Sequence, residues 1–451
     1  MINKNKIIPI LAPLIICGAF IVCAAVGMLI CPEAFHKFFF TSQLGPEIYQ
    51  RSQSYYWDVK LYAYKALNPN CDAFYPLWPF IIRTLFHPQT IEQAAHDFLS
   101  VATALFFLST CLLFWVFKTG LGSLYLSFLL ILAYTVNPMA IFRVIGYTES
   151  LFATLSTIFI WICLPQAKLN EKLKLVFIFA ITFLMALTRP VLIQILFSSI
   201  AAIGTILTFE LLKLQTLSRR HVFAVLNQNI LFVKKTITIW VSSLLGYSLY
   251  GSFCLRTRGN FFAPFQDQKF WGKKLGIHLE LLFLPKSLLF DLLGLYLPLI
   301  LLTVSLTFVY FKLIQREPYI YSPKSIGWNL LFFYPPLLII LYLVNYLKYQ
   351  RLKVNKLTIL DYTNNLSSNY IFWFCIYFAT IHSIIVFFTQ DRLFSLARFI
   401  FALPFFFLAV GYLYLCIPGK TKYNLLLWFI GISAISLIQQ WMNYGQNKWL
   451  G

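Results

Sequence analysis

The chain is predicted to be an all-α polytopic membrane protein, and three observations carry that prediction. Of its 451 residues 60% are hydrophobic, and only 11% are charged, against roughly 25% in soluble domains. Mean hydropathy is +0.75. The apolar residues run continuously rather than alternating, which suits membrane helices and not barrel strands. Bundled spans leave no room for a separate soluble domain, so residues 1–451 are read as one transmembrane unit.

The first apolar run, Ile7 to Cys31, follows the positive start Asn3-Lys4-Asn5-Lys6 as a secretory signal would. At about 25 residues it exceeds a typical signal core and lacks a clear small-x-small cleavage site, so it is expected as a retained first span with a cytosolic N-terminus. Runs of spanning length follow near 98–117, 121–136, 150–165, 173–188, 190–212, 235–253, 287–311, 329–347, 370–389, 399–417 and 423–441. The expected total is about 11–13 spans. Pro335-Pro336 breaks the helix ladder of the run 329–347, which is read as re-entrant or interfacial.

Lys118, then Lys168/Lys172/Lys174, then Lys213/Arg219/Arg220/Lys234/Lys235 alternate with loops that lack basic clusters, and these are placed in the cytosol. The outer side then receives an ordered first loop, 32–97, together with 137–149, the bend at Arg189, and 254–286. Most of the scarce carboxylates lie in those outer segments. The net charge of +21 falls in short loops between apolar runs, not in one stripe able to track phosphates, so membrane lipids are the expected partner and nucleic acid is not. The nine cysteines show no CxxC or His-linked spacing, and no metal is expected. Cys31, Cys71 and Cys254 fall outside the cytosol and are expected as free thiols. No internal repeat of the transporter kind is found.

Four outer segments hold residues able to do chemistry. The first loop contains Tyr55-Tyr56-Trp57-Asp58-Val59-Lys60-Leu61-Tyr62 and then Cys71-Asp72-Ala73-Phe74-Tyr75-Pro76-Leu77-Trp78-Pro79. Its aromatics suit an interfacial belt, with Asp58 as a helix cap, or equally an ordered loop that buries a poised carboxylate. Asn137-Pro138 leads through Arg143 and Tyr147-Thr148 to Glu149-Ser150 at the start of a span, where a glutamate also serves as a dipole partner. Thr188-Arg189-Pro190 sits between two apolar runs, as an interface anchor or an anion clamp. Ser395-Leu396-Ala397-Arg398-Phe399 raises the same choice.

Together these segments resemble the PIG-V type of polytopic glycosyltransferase, the family of the second mannosyltransferase of GPI-anchor assembly and its bacterial relatives. The family's Trp-Asp loop is matched by Trp57-Asp58, and its Phe-Phe-Pro-Leu-Phe-Pro stretch by Phe74-Tyr75-Pro76-Leu77-Trp78-Pro79. Its Asn-Pro to Tyr-Ser-Glu-Ser-Leu-Phe stretch is similar to Asn137-Pro138 through Tyr147-Thr148-Glu149-Ser150-Leu151-Phe152, and its Thr-Arg-Pro turn to Thr188-Arg189-Pro190. Gly259-Asn260-Phe261 through Gln266 to Trp271-Gly272 resembles a later stretch, and residues 395–399 resemble the closing Ser-x-Pro-Arg-Tyr. No piece is specific alone; six in the same order are. The chain departs from the pattern at Val191-Leu192, where Asn-Gly is usual, and at Ala397 and Phe399, so the acceptor is not carried over.

The resemblance implies a GT-C type fold and an inverting transfer of a hexose, mannose first, from a polyprenyl-phosphate sugar donor to a hydroxyl of a glycolipid or glycan acceptor. Asp58 would be the general base. Arg189 and then Arg398, with Arg143 and Lys60 behind them, would bind the donor phosphate. Trp57, Asp72, Tyr75, Tyr147, Glu149, Gln266 and Trp271 would contact substrate. No Asp-x-Asp is present to hold a metal against a diphosphate, and no cofactor is expected. A small accessory subunit is the one protein partner left open. The compact chain favours a bacterial plasma membrane over the endoplasmic reticulum. The competing class is a transporter or flippase of lipid-linked sugars, which calls for charges in mid-span; Glu210 and Asp291 are the candidates.

Overall fold

The computed structural model describes residues 4–33, 57–214, 219–271, 275–278, 280–283, 289–313, 366–390, 393, 395–416, 421–448 and 450. The expected segment 329–347 and Gly272 lie outside these residues, as does the Trp271 side chain. Among the described residues the protein is helical with no strand. The main helices are α1 Lys4–Ile30, α2 Asp58–Leu67, α3 Leu77–Phe86, α4 Ile91–Leu121, α5 Leu124–Val136, α6 Glu149–Cys163, α7 Glu171–Thr188 and α8 Leu192–Leu212. They continue with α9 Arg219–Gln228, α10 Ile230–Arg258, α11 Leu289–Leu313, α12 Tyr370–Thr389, α13 Leu396–Phe401, α14 Phe405–Cys416 and α15 Thr421–Gly445.

Seven of the described helices are long and apolar enough to cross a membrane: α1, α4, α8, α10, α11, α12 and α15. This is a multi-pass integral membrane protein. The expected runs 121–136, 150–165 and 399–417 correspond to shorter apolar helices, α5, α6 and α14. At 1.5 Å per residue each of these is about 18–22 Å long, less than a bilayer core of about 30 Å. Their environment is protein: nearly every residue of α6 is buried, and α14 is buried on most of its surface. The run expected at 399–417 divides because Pro404 ends α13 and starts α14.

Helix starts follow local capping. Thr90 Oγ1 accepts from the Gln93 N–H at the start of α4, which therefore begins seven residues before the apolar run. Ser123 does the same for α5, and Asn170 for α7. Pro298 inside α11 cannot donate to the carbonyl of Gly294, and the Ser383 hydroxyl of α12 donates to that oxygen at 2.9 Å. The first loop is not irregular over residues 57–97. It folds into α2 and α3, which pack on the first turns of α4, with Trp78 fully buried and its Nε1–H donating to Gly146 O at 3.0 Å.

A second small core lies beside the main one, built from Cys71, Tyr75, Leu187, Leu192, Tyr247, Tyr250, Cys254 and Ala263. Here the expectation of free thiols is corrected: Cys71 and Cys254 form a disulfide that ties the loop after α2 to the end of α10. The loop is also held by charge. Lys65 is buried and donates to Asp72 Oδ1 at 2.7 Å, to Tyr250 Oη at 2.8 Å, and to the Phe74 carbonyl. Arg258 donates to Cys71 O at 3.1 Å and to Asp267. Burial pushes the Lys65 ammonium below its ordinary pKa, and Asp72 opposes that shift. The Cys71→Ser protein is expected to lose about 2–5 kcal/mol of stability, read as a lower unfolding midpoint of the full chain in detergent. An unchanged midpoint would mean that the ion pairs alone hold the loop.

Candidate active site

Asp58, Glu149, Arg189 and Arg398 meet in one cluster. Asp58 opens α2, Glu149 opens α6, Arg189 ends α7, and Arg398 sits on the short α13. Arg398 Nη1 donates to Asp58 Oδ2 at 3.3 Å, and its Nε donates to Glu149 Oε1. Arg189 Nη1 lies 3.1 Å from the same Glu149 oxygen. Glu149 is 0% exposed and Arg189 3%, while Asp58 keeps 18% of its side chain accessible. The most accessible member is therefore a carboxylate, with Arg398 next at 10%, and the two arginines are ordered from behind by a buried carboxylate.

Geometry and chemistry at Asp58 are set by its neighbours. Its backbone N–H donates to Tyr147 Oη at 3.3 Å, and the preceding Trp57 is exposed with φ 39° and ψ −107°, a conformation an L residue rarely holds. Ser395, immediately before α13, also has a positive φ, 57°. Non-glycine residues forced into such conformations concentrate where a fold positions functional groups. Gly146 has φ 91°, and a Cβ there would come within 3.3 Å of Val59 and Phe98. That close approach seats α2 against the turn that carries Tyr147. Burial holds the Asp58 carboxyl above its ordinary pKa; the Arg398 guanidinium pulls it back, and Glu149 adds to the rise.

Aromatic rings surround the cations. Arg398 lies 4.4 Å from the Tyr147 ring centre and 5.0 Å from that of Phe142. Arg189 lies 4.7 Å from Phe399, the position where the resembled pattern has tyrosine. These contacts use the guanidinium faces and replace part of the lost hydration. Arg189 Nη1 makes no hydrogen bond of good geometry among the described residues.

The remaining candidates are placed elsewhere. Arg143 is wholly buried in the 3-10 segment Pro138–Arg143, donates to Ser109 Oγ at 3.2 Å and Thr110 Oγ1 at 3.1 Å, and lies between the Phe106 and Tyr134 rings. Lys60 is exposed on α2, with no ion pair to the cluster among the described residues. Asp72 belongs to the Lys65 and Tyr250 node, and Tyr75 packs on Tyr250 with ring centres 5.2 Å apart. Gln266 is exposed, and its Oε1 accepts from Asn260 at 2.7 Å. No group of three metal-ligating side chains occurs among the described residues.

Sequence patterns left some supporting residues unnamed. Tyr62 packs edge-on to Tyr147 with ring centres 6.4 Å apart. Asn137 caps the 3-10 segment through the Met139 N–H and donates to Phe401 O at 3.1 Å. The Asn-Pro step thereby anchors the end of α13, a link across 264 residues that no local pattern reveals. Compared with family models, with characterised proteins and with solved structures, the chain finds no match.

Proposed function

We propose that the protein is an inverting glycosyltransferase of the PIG-V, GT-C type, which moves a hexose, mannose first, from a polyprenyl-phosphate sugar to a hydroxyl of a glycolipid or glycan. One observation carries this reading: four charged residues from four distant motifs, Asp58, Glu149, Arg189 and Arg398, converge into a single site with the accessible group a carboxylate. The Cys71–Cys254 disulfide supports an extracytoplasmic site, because such bonds persist in oxidising compartments. The basic clusters fit this orientation, since Lys118 and the α6–α7 and α8–α10 connections occupy the opposite helix ends.

In the proposed reaction the acceptor hydroxyl oxygen attacks the anomeric carbon from the face opposite the phosphate, and its proton passes to Asp58. The bond from the anomeric carbon to the phosphate oxygen breaks, and its electron pair leaves with the polyprenyl phosphate. A phosphate ester is a good leaving group, so no general acid is required. Arg189 and Arg398 offer cationic donors in a water-poor setting, where they stabilise the charge that develops on the leaving group. Glu149 keeps both guanidiniums in place.

The test is a donor screen. Membranes overexpressing the full chain are given labelled polyprenyl-phosphate mannose or glucose, and transfer to lipid and glycan acceptors is followed. Label is expected in an acceptor fraction, and Arg189→Ala is expected to raise the donor KM about tenfold or more and to lower kcat as well, because the same cation would bind the donor phosphate and stabilise the leaving charge. If no polyprenyl-phosphate hexose is consumed by correctly folded protein, the proposal fails. If Arg189→Ala alters only protein yield, Arg189 is an anchor and not a clamp.

A further inference from the structure

Asp291 is a buried carboxylate on α11 that the proposed reaction leaves without a role. It is 2% exposed, and no cation pairs with it among the described residues. Its partners are backbone groups: Oδ1 accepts from the Ala397 N–H at 2.7 Å, and the N–H groups of Leu396 and Ser395 lie beside the carboxylate. Those are the otherwise unsatisfied donors at the start of α13. One turn along α11, a Cβ at Gly294 would lie 3.2 Å from both the N and Cα of Ala397, closer than ordinary contact. A side chain here would push the α13 backbone outward by a few tenths of an ångström, and glycine lets it lie tightly on α11. The Gly294 carbonyl, freed by Pro298, is taken by Ser383, so the close approach leaves that oxygen satisfied. At its other end α13 is held by Asn137 on Phe401 O and by Tyr134 Oη donating to Ala402 O at 3.1 Å.

We infer that Asp291 and Gly294 are positioning residues for catalysis, which fix α13 so that Arg398 reaches Asp58 and Glu149 together. This rests on the proposed transferase reading. A six-residue helix has too few internal hydrogen bonds to persist alone, so its placement comes from such outside partners. Arg398 must meet two carboxylates at once, and an error of about 1 Å in reacting geometry costs on the order of 100-fold.

The experiment pairs a substrate-free readout with a kinetic one on the full chain in lipid nanodiscs. Hydrogen exchange at residues 395–397 is measured for wild type, Asp291→Ala and Asp291→Asn. Exchange is expected to rise at least about tenfold in Asp291→Ala and less in Asp291→Asn, whose amide oxygen still accepts. Hexose transfer is then measured for Asp291→Ala, Arg398→Ala and the double variant. Asp291→Ala is expected to lower kcat/KM about 10- to 100-fold alone, and less than about threefold when Arg398 is already alanine, because the two act as one unit. Unchanged exchange overturns the inference, as do losses that simply multiply in the double variant. If exchange rises but wild type transfers no hexose, the transferase reading falls, and with it the catalytic role inferred for Asp291.

Discussion

Asp58→Asn is expected to lower kcat by about 10²–10⁴-fold, the usual contribution of a positioned general base. The donor KM should change little, because Asp58 faces the acceptor hydroxyl in the proposed reaction and the phosphate faces the arginines. Asparagine keeps the size of the side chain and an oxygen for Arg398, so a drop in rate without a drop in folded protein isolates the proton transfer. The pH profile gives a second signature. The base works only when ionised, and burial raises its pKa above the ordinary 3.8, so kcat/KM should fall on acidification through a limb above that value. Arg398 opposes the shift, and Arg398→Met should move the limb to still higher pH. Near-normal turnover by folded Asp58→Asn protein would end the assignment.

Glu149→Ala is expected to be the most damaging single change to stability, at about 3–5 kcal/mol. The buried carboxylate is shared by Arg189 and Arg398, and its loss leaves two guanidiniums in a nearly dry setting with only Asp58 and aromatic faces nearby. Removing one partner of a buried pair costs more than removing both, so Glu149→Ala combined with Arg189→Leu should recover part of the loss. Thermal unfolding of the detergent-solubilised chain measures both. Equal midpoints for wild type and Glu149→Ala would show that the arginines do not depend on it.

The helices were legible where apolar runs were continuous and their ends carried local signals. The run 370–389 coincides with α12, and 190–212 nearly with α8. Less legible was the division at Pro404, because the flanking phenylalanines and leucines keep the segment apolar throughout. The four clustered charges were visible as isolated polar residues at the edges of apolar runs. Their meeting was not, since it depends on contacts across 249 residues between Glu149 and Arg398, and 340 between Asp58 and Arg398. The Cys71–Cys254 pair was missed for the same reason: 183 residues separate the partners, and spacing carries no information about so long a closure. Arg143 and Asp72 were conspicuous as charges near outer turns, yet the fold spends them on hydroxyls and on Lys65.

Because Glu149 is shared between Arg189 and Arg398, its two counter-charges are translated far apart in time. Glu149 and Arg189 lie 40 positions apart on successive helices, α6 and α7, so the carboxylate's first counter-charge follows it closely in the chain. Arg398 is translated only after another 209 positions, on α13 near the end of the chain. Until then Asp58 lacks its ion-pair partner, with only the Arg189 charge nearby. Of the four clustered charges, the Glu149–Arg189 pair thus precedes Arg398 in the chain, and the proposed site is complete only once α13 has been made.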